Sequence, residues 1–68
     1  MKKSMTRHPG IRVSLETANP YALVAAIREE FRRARVDREV IQRFSDEALS
    51  QEDPPEIRRI CKEWVTLD

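Results

Sequence analysis

NPYALVAAIREEFRRARVDREVIQRFSDEAL, residues 19–49, decides the fold. It reads as two amphipathic helices joined by a hinge of about three residues, Arg35-Val36-Asp37. Asn19 is a good N-cap and Pro20 suits the first helical position, where its missing N–H costs nothing. Leu23, Val24, Ile27, Phe31 and Ala34 recur at helical spacing and form one apolar stripe. In the second helix Val40, Ile41, Phe44 and Ala48 form the stripe, with Leu49 beside it. Asp37 is placed to cap that helix, and Val36 and Ile41 stand at the staple positions around the cap.

Outward from this pair, Ile11, Val13 and Leu15 alternate with polar residues, the pattern of a short half-buried strand over Ile11 to Leu15. Pro9-Gly10 is a turn signal, and residues 1–10 read as a flexible basic tail. Asp53-Pro54-Pro55-Glu56 signals a third helix, with Asp53 capping and Glu56 reaching back. Ile57, Ile60, Cys61 and Trp64 are its stripe. The fold class is therefore α+β: a short N-terminal strand, three amphipathic helices, and a short C-terminal strand over Val65 to Leu67 that can pair with the first. Residues 11–68 make a single mini-domain. Its expected core is Val13, Leu15, Leu23, Val24, Ile27, Phe31, Val36, Ile41, Phe44, Ile57, Ile60, Cys61 and Trp64.

Composition narrows the function. The chain has 68 residues, 37% of them charged and 40% hydrophobic. That gives a solvated surface over a small core, and domains of this size are marginal alone. A protein partner or self-association is expected on size. One Cys excludes an internal disulfide framework, and one His with one Cys cannot assemble a zinc site in one chain. With one Gly the chain cannot build a glycine-rich phosphate loop. The expectation is no cofactor, no metal and no small-molecule substrate. No apolar run approaches the ~20 residues of a membrane span, and no apolar segment follows Lys2 and Lys3 as a secretory signal requires, so the expected location is cytoplasmic.

The formal net charge of +1 hides an asymmetry. Residues 1–10 carry +3, residues 11–36 carry +2 and residues 37–68 carry −4. The first half suits a polyanion and the second resists one. Arg12, Tyr21, Arg28, Arg32 and Arg35 are the candidate surface for a partner or a nucleic acid: arginine forks suit phosphate, and an aromatic beside them can stack on bases. The bland alternative is a solubilising arginine face with Glu29 and Glu30 as neighbours. His8 lies in the presumed tail, and Asp46 and Glu47 diverge on a helix and read as a solvated face. No catalytic residue is expected, and the chain reads as non-enzymatic. Cys61 reads as a small buried hydrophobe.

Two DNA-binding templates share the element order. A helix-turn-helix needs its second helix in the major groove, and Asp37, Glu39, Asp46 and Glu47 make this one too acidic. The strand-helix-helix order also resembles a ribbon-helix-helix regulator, in which two chains pair their strands. Such a regulator, using the strand and the arginine flank of helix one, is the alternative to a non-enzymatic, self-associating or partner-binding protein module.

Several local motifs resemble a group of small, uncharacterised bacterial and phage-associated proteins. They are the helix start from Asn19 to Arg28, the turn Arg32-Arg33-Ala34-Arg35-Val36-Asp37, the helix end Glu47-Ala48-Leu49-Ser50 and the ending Cys61-Lys62-Glu63-Trp64-Val65. The match spans most of residues 11–68. It departs from the group's pattern at Arg35, where a Gly is expected, and at Asp53-Pro54-Pro55. The resemblance implies that Val65 to Leu67 is a terminal strand paired with the first, and it carries over no functional residues.

Overall fold

The computed structural model describes residues 7–14 and 19–67. Their elements run β1 (His8–Val13), α1 (Pro20–Arg33), α2 (Arg38–Leu49), α3 (Pro54–Trp64) and β2 (Val65–Leu67). The α+β class holds, and the two strands form one parallel two-stranded sheet within the chain.

The first strand begins at His8, not Ile11, so His8 to Gly10 belong to it rather than to the segment read as a tail. Leu15, expected in the strand and core, lies outside the described residues. The register shows why the sequence pattern misplaced the start. His8 pairs with Val65 and Arg12 with Thr66, so Pro9, Gly10 and Ile11 have no partners of their own along β2. A bulge suits this sequence because Pro9 has no N–H to offer a ladder and Gly10 carries no side chain to place. Arg7 N–H donates to the Glu63 carbonyl at 2.9 Å and extends the attachment beyond the strand.

In α1, the Asn19 side chain accepts from Tyr21 N–H at 2.9 Å, which satisfies one of the donors that a helix start leaves open. Leu23, Val24, Ile27 and Phe31 are buried as their spacing required. The helix closes with two crossed backbone bonds, Val36 N–H to the Phe31 carbonyl at 3.0 Å and Arg35 N–H to the Arg32 carbonyl at 3.1 Å. This is the Schellman arrangement. It drives Arg35 to φ 62°, a conformation that glycine adopts without strain and a Cβ-bearing residue adopts at a cost.

The other two helix starts differ from expectation. Asp37 and Asp53 occupy the N-cap positions, but neither side chain makes a capping hydrogen bond. Glu56 does not reach back. It turns forward to Arg59, whose Nε and Nη2 both donate to the single oxygen Glu56 Oε1, at 3.0 and 2.7 Å, as charge-assisted hydrogen bonds.

Burial of the stripes produces one core, which also takes in Ala48 and Val65; Val36 and Val40 are only half-buried against it, and Ala34, read as part of the first stripe, is exposed because it lies past the last turn of α1. Its centre is aromatic. Phe31 and Phe44 meet edge-on with centroids 5.4 Å apart, and Phe44 meets Trp64 at 5.5 Å. Edge-to-face contacts at this range add to the area that these rings bury. No helix among the described residues is long and apolar enough to cross a membrane.

Candidate functional site

Helical spacing places Tyr21, Arg28 and Arg32 along one flank of α1. Tyr21 is 54% exposed. Arg28 is half-buried, and its Nε is buried without a hydrogen-bond partner. Arg32 is exposed and lies 3.7 Å from Glu29 one turn back. Exposed pairs of this kind contribute little stability, but they offset the charge that a polyanion would seek.

The remaining two candidates lie elsewhere. Arg35 follows the end of the helix in a left-handed conformation, so helical spacing no longer aligns it with Arg28 and Arg32. Arg12 lines a shallow depression with Gly10, Ile11, Glu30, Arg33 and Ala34. Glu30 and Arg33 stand on the opposite flank of α1 from Tyr21, and they pair with each other at 3.3 Å. The five residues thus divide among three places.

A second cluster forms where the start of β1 meets the C-terminal end of α3. The His8 ring stacks on Trp64 with centroids 5.9 Å apart and lies 5.2 Å from Phe31. The Arg7 guanidinium stands 4.5 Å from the Trp64 ring centroid. The Trp64 indole N–H donates to Glu47 Oε1 at 2.6 Å. Glu47 is therefore half-buried and engaged, not part of a solvated face, whereas Asp46 is exposed and accepts from Gln42 at 2.9 Å. Nearby on α3, Arg59 bridges Glu56 and Glu63, each at 2.7 Å. The hydrogen bond and charge of Glu56, with smaller help from Glu63 and Glu47, raise the Arg59 pKa above its ordinary value. Burial pushes the Cys61 thiol up to about 11, against a smaller opposing pull from Arg58. A thiol so protonated is a poor nucleophile at neutral pH. The Trp64–Glu47 hydrogen bond and the His8 and Arg7 contacts with Trp64 join α3 to α2 and to the start of β1, whereas the Arg59 pairs stay within α3.

The third region is the end of the molecule where α1 and α3 begin. Pro20, Pro54, Pro55 and Arg58 line an open, mainly apolar depression there. Tyr21 follows Pro20 directly, and Leu49, 47% exposed, closes α2 just before the loop to Pro54. These two are the exposed large hydrophobics of the described residues. Sequence reasoning singled out Tyr21 but took Pro54-Pro55 only as a helix start and Leu49 as a neighbour of the core stripe. The signal available was Leu49 itself, one position past the last buried residue of its helix. Among the described residues, no group of three or more His, Cys, Asp and Glu side chains is placed to hold a metal ion. Comparisons with protein families, with curated proteins and with solved structures found no match to this chain.

Proposed function

We propose that the chain is a non-enzymatic protein-interaction module that binds through the end of the molecule carrying Tyr21. The observation that carries this reading is an exposed tyrosine on a well-anchored helix beside a proline-lined apolar depression. Tyrosine is enriched at interface hot spots, where one rigid ring covers much area at small entropic cost. The arginines of α1 support the same reading, since Arg32 and Arg33 each face a glutamate one turn back. The pairing of β1 with β2 inside one chain favours it over a ribbon-type regulator, whose strands pair between chains.

The test compares the wild-type chain with Tyr21→Asp in quantitative capture of proteins from extract, and measures binding to a duplex oligonucleotide in parallel. Expected are direct binding of a purified captured protein, or of the chain to itself, that weakens about tenfold or more in the variant, and no tight oligonucleotide binding. Submicromolar oligonucleotide affinity that falls steeply with salt and weakens on Arg32→Ala would overturn the reading, because phosphate contacts release counterions.

A further inference from the structure

The first strand is not held to the second evenly. His8 pairs with Val65 and Arg12 with Thr66, so four steps along β1 meet a single step along β2. Two separate attachments result, with Pro9, Gly10 and Ile11 between them. The geometry points to a latch: the Arg7–His8 end of β1 opens from Trp64 by itself, while Val13, the three helices and β2 stay folded.

The two attachments differ in what they would take with them. At the second, Val13 pairs with Leu67 and its side chain is only 5% exposed, inside the core. Interiors are close-packed, so a side chain placed there leaves only when the core opens. Ile11, half-buried against the core, belongs to the same attachment. The first attachment lies at the surface. Arg7 is exposed and His8 is half-buried. It consists of the Arg7 N–H bond to the Glu63 carbonyl at 2.9 Å, the pairing of His8 with Val65, the His8 stack on Trp64 with 15° between the planes, and the Arg7 guanidinium 4.5 Å from the Trp64 centroid. Each such contact is small where water competes.

Little ties one attachment to the other. Pro9 has no N–H to give a ladder, and a Cβ at Gly10 would meet nothing within 4 Å. Gly10 therefore has both the room and the backbone freedom to be the pivot. Trp64 does not depend on the latch for its place. Its N–H bond to Glu47 at 2.6 Å and the rings of Phe44 and Phe31, at 5.5 and 6.4 Å, hold it from within the helices. Opening uncovers the part of the Trp64 ring that His8 and Arg7 occupy, and frees the Glu63 carbonyl. The latch lies at the other end of α3 from Tyr21 and is independent of anything that Tyr21 binds.

The test is amide hydrogen exchange of the full chain, followed by NMR in increasing urea below the unfolding transition, on the wild type, His8→Ala and Val13→Ala. The Arg7 amide reports the latch, and the Ile27 and Phe44 amides, inside α1 and α2, report the core. The Arg7 amide should be protected, but about a hundredfold or more less than that of Phe44, and its exchange should not respond to urea, while that of Phe44 speeds up. His8→Ala should lower Arg7 protection about threefold or more and leave Ile27 and Phe44 unchanged, whereas Val13→Ala should lower Ile27 and Phe44 about tenfold or more. Equal protection and equal urea dependence at Arg7 and Phe44 overturn the inference, because strand and core then open as one. An unprotected Arg7 amide overturns it too, since no latch is then closed. So does His8→Ala that lowers Phe44 as much as Arg7, or Val13→Ala that lowers Arg7 alone, the sign of a strand that leaves in one piece. If Val13→Ala fails to fold, the wild type and His8→Ala still decide.

Discussion

The two ends of α3 treat aromatic and polar groups in opposite ways. At its C-terminal end Trp64 is enclosed by Phe44, Phe31 and His8, with its N–H on Glu47 and Arg7 over its ring. Each ring there has its partners inside the chain. At its N-terminal end Pro54 and Pro55 open onto a depression, and Tyr21 stands exposed close by. A small domain cannot cover all its apolar surface. This one encloses its rings at the C-terminal end of α3 and leaves Tyr21 and Leu49 exposed near the other.

That contrast is open to attack at the enclosed end first. Phe31→Ala removes a fully buried ring that touches His8, Phe44 and Trp64, and should cost about 3–5 kcal/mol in urea unfolding, enough to leave a domain of this size largely unfolded. Cys61 comes next. Its folded pKa of about 11 lies above the 9.0 of the free thiol, so the unfolded chain gives up its proton first as pH rises. Stability should be unaffected by this group below pH 9 and decline by on the order of 2 kcal/mol between 9 and 11. Cys61→Ala, measured over the same range, should lack that part of the decline. A slope unchanged in the variant would mean that the enclosed end is not closed to water.

Smaller effects sharpen the comparison. Glu47→Ala strands the indole N–H of Trp64 and should cost about 1–2 kcal/mol, while Glu47→Gln, which keeps an acceptor, should cost less. Arg35→Gly relieves the backbone at φ 62° and should raise stability by about 0.5–1 kcal/mol, read as a higher Tm. Tyr21→Asp, at the open end, should shift stability by no more than about 0.5 kcal/mol in dilute solution. A large loss there would place Tyr21 in the fold's own packing and erase the distinction between the two ends.

The helices were legible because each carries its own record. A stripe at helical spacing and a proline at the first position are local facts, and Leu23, Val24, Ile27, Phe31, Phe44, Ile57 and Trp64 were buried as read. The pairing of the C-terminal strand with the first was also foreseen, but the side-chain partners at a distance were not. Glu47 sits beside Asp46 in sequence, yet its oxygen meets an indole 17 residues away. His8 looked like tail because Pro9-Gly10 reads as a turn, and only the pairing with Val65 turns that break into a bulge. The arginine candidates failed to assemble for the same reason. Helical spacing could align Arg28 with Arg32, but the flank of α1 on which β1 would lay Arg12 depends on how strand and helix pack.

The parallel pair joins His8 to Val65, so the first strand made on the ribosome waits for the last. Until Val65 to Leu67 emerge, β1 has no ladder to join, while the α1–α2 pair, built from local contacts, can already form. Synthesis therefore leaves β1 unmatched beside a helical hairpin until Val65 to Leu67 have been made. The same closure makes the two ends of the described chain neighbours in space. A short linker from residue 67 to residue 7, with new ends opened in the exposed loop at Gln51–Asp53, should then give a circular permutant of the same architecture.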